Sequence, residues 1–420
     1  MLTRTLARTA ALACGLGLCS LALPAPRTAG AAGPVPSDLS QRPDDPAPTC
    51  PATCPPGQPQ PCPQTCPPGQ LIACTTTCPS DQPPLAPLSA PLSAPLAPLS
   101  APQRAAFLAT PPDPPPEVLG GVTLARHDRH YLTGNEHHLH AFHPRIRGLG
   151  GAYLGVGAEQ GYLLIGWARS ELAWLIDYDP AVVAVHRLHQ TFLAAAATPD
   201  AYLALWQAPG RRDALAALRA AHPGDADLLT LYRDHRARIG KRLVELRLEM
   251  QAAGVPGYLD DLADYTHVRE LVRTGRVRSL VADLTRDGAV AHIGATARRL
   301  GVHLRVLYLS NAEEYWERLP QPFRANLRAL PVDERSLVLR TLLTWEKNRD
   351  YRYNAQPARN YRRWLAVPDL RSIYDVIRRD RVVVDERGFF ETRELPDPAL
   401  LRRREQRRLA REAAGLPANG

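Results

Sequence analysis

All eight cysteines fall before Pro79, and 26 of the 42 prolines lie between Pro34 and Pro116, so the 420-residue chain is two unlike pieces joined end to end. The later piece, about three hundred residues, is long enough to bury a substantial core without disulfide staples. A polytopic membrane protein is excluded as well. Beyond the N-terminus the best apolar stretch, Gly161 to Tyr178, is broken by Arg169, Glu171 and Asp177. The formal charge of +9 comes almost wholly from arginine, because Lys241 and Lys347 are the only lysines. The one dense run, Arg402, Arg403, Arg404, Arg407, Arg408 and Arg411, lies in a C-terminal tail (398–420) of helical composition, opposed by Glu405 and Glu412. It reads as a solvated helix or as a face for an anionic partner, with no sign of a specific nucleic-acid surface.

Arg4 and Arg8 precede an apolar stretch from Thr9 to Leu23, and small residues follow up to Ala29, Gly30 and Ala31. That order is a secretory signal peptide over residues 1–31, with an uncleaved anchor as the alternative. Export to the periplasm, the cell envelope or the exterior is expected, with no transmembrane span once the signal is removed. Cys50, Cys54, Cys62, Cys66, Cys74 and Cys78 then obey C-x3-C-x7 in a 12-residue repeat. In an exported chain six cysteines read as disulfides, whose pairing stays open; zinc or free thiols are the alternatives. From Leu85 to Pro102 the chain repeats Ala-Pro-Leu and Ser-Ala-Pro, a semi-extended spacer. Residues 32–116 are expected to be a disordered stalk.

The body, 117–397, alternates buried-strand runs with amphipathic runs. The expected strands are Ala152 to Val156, Leu172 to Ile176, Val277 to Ala282, Val302 to Leu309, Ser336 to Leu342 and Arg381 to Val384. Helices are expected after Gly161, from Pro180 to Ala197 and from Gly288 to Leu300, with a helical insertion over 199–275. This pattern defines an α/β fold: a doubly wound, mainly parallel, Rossmann-like sheet covered on both faces.

In such a sheet ligands bind outside the carboxyl ends of the strands. The turn Gly155-Val-Gly157-Ala-Glu159-Gln160-Gly161 follows the first strand there, where glycine admits a close ligand and the next helix presents free N–H groups. Asp177 and Asp179 end the second strand, 20 and 22 residues after Gly157, the spacing of a carboxylate that accepts ribose hydroxyls. Residues 150 to 186, with the Leu280 to Leu284 and Leu304 to Leu309 strands, resemble the class I S-adenosylmethionine-dependent methyltransferase fold. The stretch Ile176-Asp-Tyr-Asp-Pro-Ala-Val-Val183 is similar to the aminopropyltransferase branch. More narrowly, Gly155-Val-Gly-Ala-Glu-Gln-Gly-Tyr162, Tyr308-Leu-Ser-Asn-Ala-Glu313 and Tyr353-Asn-Ala-Gln356 resemble an exported bacterial family of unassigned activity, found in leptospires among others. The resemblance implies S-adenosylmethionine as the cofactor, with Gly155 and Gly157 around its amino-acid part, Glu159 and Gln160 beside them, Asp177 or Asp179 on its ribose and Asp283 at the strand-four edge. The chain departs from that pattern at Tyr153, where the family carries an acid, and at Gly161, which comes late.

Three further groups carry chemistry. His127, His130, His137, His138, His140 and His143 crowd into 17 residues; of these His137, His138 and His140 fit a divalent metal, or a histidine-rich surface. Ser310, Asn311 and Glu313 follow a strand on the ligand side, fitting a polar substrate with Glu313 as general base, or a helix cap. Tyr351, Tyr353, Asn354, Tyr361 and Trp364 form an aromatic and amide cluster in a loop-like region, suited to stacking on a substrate or to packing. The body has no cysteine, no G-x-S-x-G turn, no P-loop and no H-E-x-x-H helix, so hydrolase and phosphotransferase classes lack support. The expected function is an exported methyltransferase-like domain binding a nucleoside-like or other small polar ligand. The alternative is a non-catalytic module that binds an envelope component.

Overall fold

The computed structural model describes residues 96–120, 129–343, 350–377 and 383–414. The export signal, the cysteine repeat, most of the spacer and His127 lie outside the described residues. Contacts divide the chain after Cys78, and every described residue belongs to the second unit.

Among the described residues seven strands form one sheet: β1 (Ala152–Val156), β2 (Leu172–Asp177), β3 (Val277–Val281), β4 (Leu304–Ser310), β5 (Leu337–Leu343), β6 (Tyr351–Pro357) and β7 (Phe389–Glu391). Their order is β3-β2-β1-β4-β5-β6-β7. The first five are parallel, β6 turns antiparallel to β5, and β7 runs parallel to β6. The chain winds outward from β1 in one direction and from β4 in the other, so the order reverses between β1 and β4. That is the doubly wound arrangement, with its switch point at those two strands.

Among the described residues thirteen α-helices accompany the sheet: α1 (Ala101–Leu108), α2 (His143–Ile146), α3 (Gln160–Ala168), α4 (Pro180–Ala195), α5 (Pro199–Trp206), α6 (Arg211–Ala221), α7 (Ala226–Ala252), α8 (Leu262–Arg273), α9 (Ala289–Arg299), α10 (Gln321–Ala329), α11 (Ala358–Leu365), α12 (Ile373–Val376) and α13 (Pro398–Ala413). Alternate residues of β1 and β2 enter two separate cores, which is why these runs read as continuously apolar. Tyr153 and Leu175 face a core shared with α3 to α8. Leu154 and Trp174 face one shared with α1, α9, α10 and α11. Among the described residues no helix is long and apolar enough to cross a membrane.

The 199–275 stretch is entirely helical with short links, and polar side chains set its boundaries. Thr198, Asp225 and Asp261 each accept a backbone N–H of the following first turn, satisfying donors that a helix start leaves open.

Both edges differ from expectation. The spacer and stalk do not run unstructured to Pro116: Ser100 closes a capping box on α1, and Phe107 packs on Trp174 with ring centroids 4.9 Å apart. Asp113 is buried and accepts the N–H groups of Asp283 and Ala289, capping α9 from a distant part of the chain. At the other edge the loop-like aromatic cluster is strand β6 followed by α11. Of the expected Arg381 to Val384 strand, Arg381 and Val382 lie outside the described residues; Val383 and Val384 are exposed and lie outside any strand, and the edge strand is Phe389–Glu391.

Candidate functional site

The turn after β1 and the end of β2 meet at the carboxyl edge of the sheet. Gly157 adopts φ +96°, a left-handed conformation that an L side chain rarely adopts. Its N–H donates to Asp177 Oδ2 at 3.2 Å, and Asp177 Oδ1 accepts the Asp179 N–H at 3.0 Å. The Tyr178 N–H is a further backbone donor to this carboxyl. Asp177 is partly buried, and desolvation is the main cause that lifts its carboxyl to about 7. Tyr131, Tyr178 and Tyr315 remain 46%, 36% and 44% exposed. They lie close enough together that burial first, then the charges of Asp177, Tyr315, Asp179 and Tyr131, push the Tyr178 hydroxyl up to about 12. Asp177 thus ends β2 next to Tyr178, whose hydroxyl donates to the Gly120 carbonyl at 2.8 Å.

Asp179 does different work. It is buried, caps α4 through the Ala181 N–H at 2.8 Å, and pairs with His130 Nδ1 at 2.9 Å.

Deeper in the crevice the ground is taken. A side chain at Gly155 would collide with the Tyr153 ring, and one at Gly157 with the Gln160 amide. Gly155 therefore makes room for the protein's own tyrosine rather than for a cofactor's amino-acid part. Gln160 is likewise buried, its Oε1 accepting the Ala158 N–H at 3.1 Å. Between β1 and β4 lies the Glu136 carboxylate, which is 3% exposed. Its Oε1 accepts the Tyr308 hydroxyl at 2.8 Å and the Ser310 hydroxyl at 2.9 Å.

Glu136 belongs to a strap, residues 130–138, that crosses the carboxyl edge and bonds many of the residues the sequence nominated. Gly134 N–H donates to Glu159 at 3.1 Å, Asn135 Nδ2 to the Tyr351 hydroxyl at 2.8 Å, and His138 N–H to the Tyr353 hydroxyl at 2.8 Å. His137 pairs with Glu249 at 2.6 Å, and His138 with Asp350. His137, His138 and His140 are therefore not gathered around one point. Among the described residues no group of three His, Cys, Asp or Glu has the geometry of a metal site.

Arg242, from the middle of α7, secures the strap and the glycine turn together. Its Nη2 donates to the Glu136 carbonyl at 2.6 Å, its Nε to Glu159 Oε1 at 3.2 Å and its Nη1 to Glu249 at 3.1 Å. Glu159 is fully buried; desolvation raises its pKa despite the opposing pull of Arg242. Sequence reasoning missed both Arg242 and Glu136: one is an arginine among many, the other a carboxylate in a histidine-rich segment. The helical insertion does reach the crevice.

The remaining nominated residues sit elsewhere. Asp283 closes its own turn through Thr285 and pairs with Arg286 at 3.4 Å. Asn311 starts a short 3-10 helix without a side-chain cap bond. Glu313 is buried, bound by Arg340 and by the Tyr361 hydroxyl, which leaves no room for it as a general base on a substrate. Asn354 is buried with it, its Oδ1 accepting from Arg340 at 3.1 Å and its Nδ2 donating to Thr392 at 3.0 Å. The Tyr353 hydroxyl donates to Asp350 at 3.0 Å.

The fold and its edge define a doubly wound α/β domain with a ligand-side rim at the switch point. Residues 131–393 match the family described as Domain of unknown function (DUF7790), and the chain belongs to that family. The match spans the strap, the glycine turn, the insertion and β7. No curated protein matches the chain.

Proposed function

We propose that the domain binds a nucleoside-like or sugar-like polyhydroxyl ligand at the rim around Asp177. The observation that carries this reading is the Asp177 carboxyl, oriented by backbone N–H groups at the end of β2 beside the partly exposed Tyr178. Vicinal hydroxyls suit the carboxylate lone pairs, and a planar base or sugar face suits a tyrosine ring.

Methyl transfer from S-adenosylmethionine is the finer form of this reading. The strand order, the glycine turn and the acid 20 residues later favour it. Tyr153 and Glu136 weigh against it, because they fill the ground beyond Gly155 that an amino-acid tail would need. We further propose that the chain is exported and that the cysteine repeat presents the domain at the cell envelope. The signal-like N-terminus supports this.

One observation favours a non-catalytic module binding an envelope component: Glu159, Gln160, Asp179, Ser310 and Tyr353 already have partners within the chain. Thermal melting separates the readings. Adenosine is expected to raise Tm, S-adenosylhomocysteine to raise it no further, and Asp177→Ala to abolish the shift. Retention by isolated envelope fractions, undiminished in Asp177→Ala and with no nucleoside shift, would favour the module.

A further inference from the structure

We infer that the hydroxyl cluster between β1 and β4 is a carboxylate-binding cradle, which the chain occupies with its own Glu136, and that a carboxylate-bearing ligand takes that place when the Glu136 side chain swings out. This goes beyond the rim at Asp177 and does not depend on it.

The cradle is built from donors on the sheet. Tyr308 and Ser310 both donate to Glu136 Oε1, at 2.8 and 2.9 Å, and Thr341 stands 3.3 Å behind Ser310. Ser310 is held at φ +49°, a conformation uncommon for a residue other than glycine, at the very end of β4 where its hydroxyl meets the carboxylate. The Tyr153 hydroxyl is completely buried and has no partner among the described residues. It lies over Gly155, whose register neighbour is Tyr308, and close enough to Glu136 to feel its charge. Buried hydroxyls rarely go unpaired. One idle donor beside two employed ones leaves the cradle with more capacity than Glu136 uses.

The occupant, by contrast, is held from outside. Leu132 and Leu139 are buried and anchor the strap at either end, and between them Arg242 Nη2 holds the Glu136 carbonyl at 2.6 Å and Glu159 accepts the Gly134 N–H at 3.1 Å, so only the Glu136 side chain has to leave. His137, which pairs with Glu249, and His130, which pairs with Asp179 beyond the first anchor, are each 52% exposed. Exposed pairs of this kind hold weakly. Inside the crevice the side chain of Glu136 receives only hydroxyls and the adjacent Asn135 N–H at 3.1 Å. The nearby Arg242 spends its donors on Glu159, Glu249 and the Glu136 carbonyl rather than on that carboxylate. A site that stabilises a carboxylate through neutral donors accepts another carboxylate of similar size on the same terms.

The test is chemical rescue in the full chain, with acetate as the probe and chloride at equal ionic strength as the control. Glu136→Ala is expected to lower Tm, and acetate to restore at least half of the loss with saturation, while chloride does not. Adding Ser310→Ala is expected to raise the acetate concentration needed by about tenfold, the loss of one hydrogen bond of roughly 1.4 kcal/mol. Should Glu136→Ala fail to fold in chloride, recovery of its circular-dichroism signal on refolding from urea into acetate is the same readout. Equal effects of acetate and chloride, no recovery in either, or rescue that ignores Ser310→Ala overturns the inference.

Discussion

The Glu159 carboxylate and the Arg242 guanidinium meet 3.2 Å apart with both side chains withdrawn from solvent, tying the turn after β1 to the middle of α7. Breaking a buried pair leaves one charge uncompensated, which costs more than the pair itself contributes. Arg242→Met is therefore expected to lower unfolding stability by about 3–5 kcal/mol. Adding Glu159→Gln should recover much of it. Urea denaturation measures both, and a loss of no more than about 1 kcal/mol, the worth of an exposed pair, would contradict the arrangement.

Acid is expected to destabilise the domain through the histidines of α4. His186 and His189 are fully buried, His186 Nε2 donating to the Gly157 carbonyl at 2.8 Å and His189 bonding Tyr202 at 2.6 Å. Burial holds His186 down to about 4 and His189 well below its ordinary value. The unfolded chain takes up these protons near pH 6.5 while the folded chain resists, His186 until about 4, so their contribution is constant above 6.5 and falls as pH drops below it. For His186 alone the loss reaches about 3 kcal/mol at the bottom of the range. His186→Gln, which keeps a donor toward Gly157, should flatten the slope of urea midpoint against pH; an unchanged slope contradicts the assignment.

Asp177 runs the other way. Its folded carboxyl is raised to about 7 from 3.8, so the folded state holds the proton longer and loses stability as pH rises between those values. Asp177→Asn is expected to be more stable than the natural chain at pH 8 and to lose that advantage at pH 4. Paired thermal melts at the two pH values check the sign.

Gly155 and Tyr153 should behave as a packing pair. Gly155→Ala drives a methyl into the Tyr153 ring and is expected to cost about 1–3 kcal/mol. Tyr153→Phe removes an unpartnered hydroxyl and should leave stability within about 0.5 kcal/mol or raise it. If the phenylalanine variant were the more damaging of the two, the hydroxyl would have a partner after all.

Much of this architecture is legible in the sequence where local pattern and tertiary role coincide. The β1-α3-β2-α4 unit announces itself because parallel strands buried on both faces are uninterrupted apolar runs, and because Asp179 and Pro180 start α4 by local chemistry. Strand β6 stays hidden because Asn354 and Gln356 are polar at buried positions, a pattern that makes sense only once Arg340 of β5 is placed opposite them. Asp113 is concealed in the same way: within a proline-rich run nothing marks it as the cap of a helix more than 170 residues later. Gly155, Gly157 and Asp177 do come together at one rim as the spacing suggests. The strap that fills the inner crevice has no periodicity of its own, and so its claim on those residues appears only in three dimensions.

Isothermal titration of adenosine into the full chain and into Asp177→Asn bears on the rim itself. Saturable heat with the natural chain, lost in the variant while its fold and melting transition persist, is the expected result. No heat with the natural chain, or equal heat with both, would contradict a ligand site at Asp177.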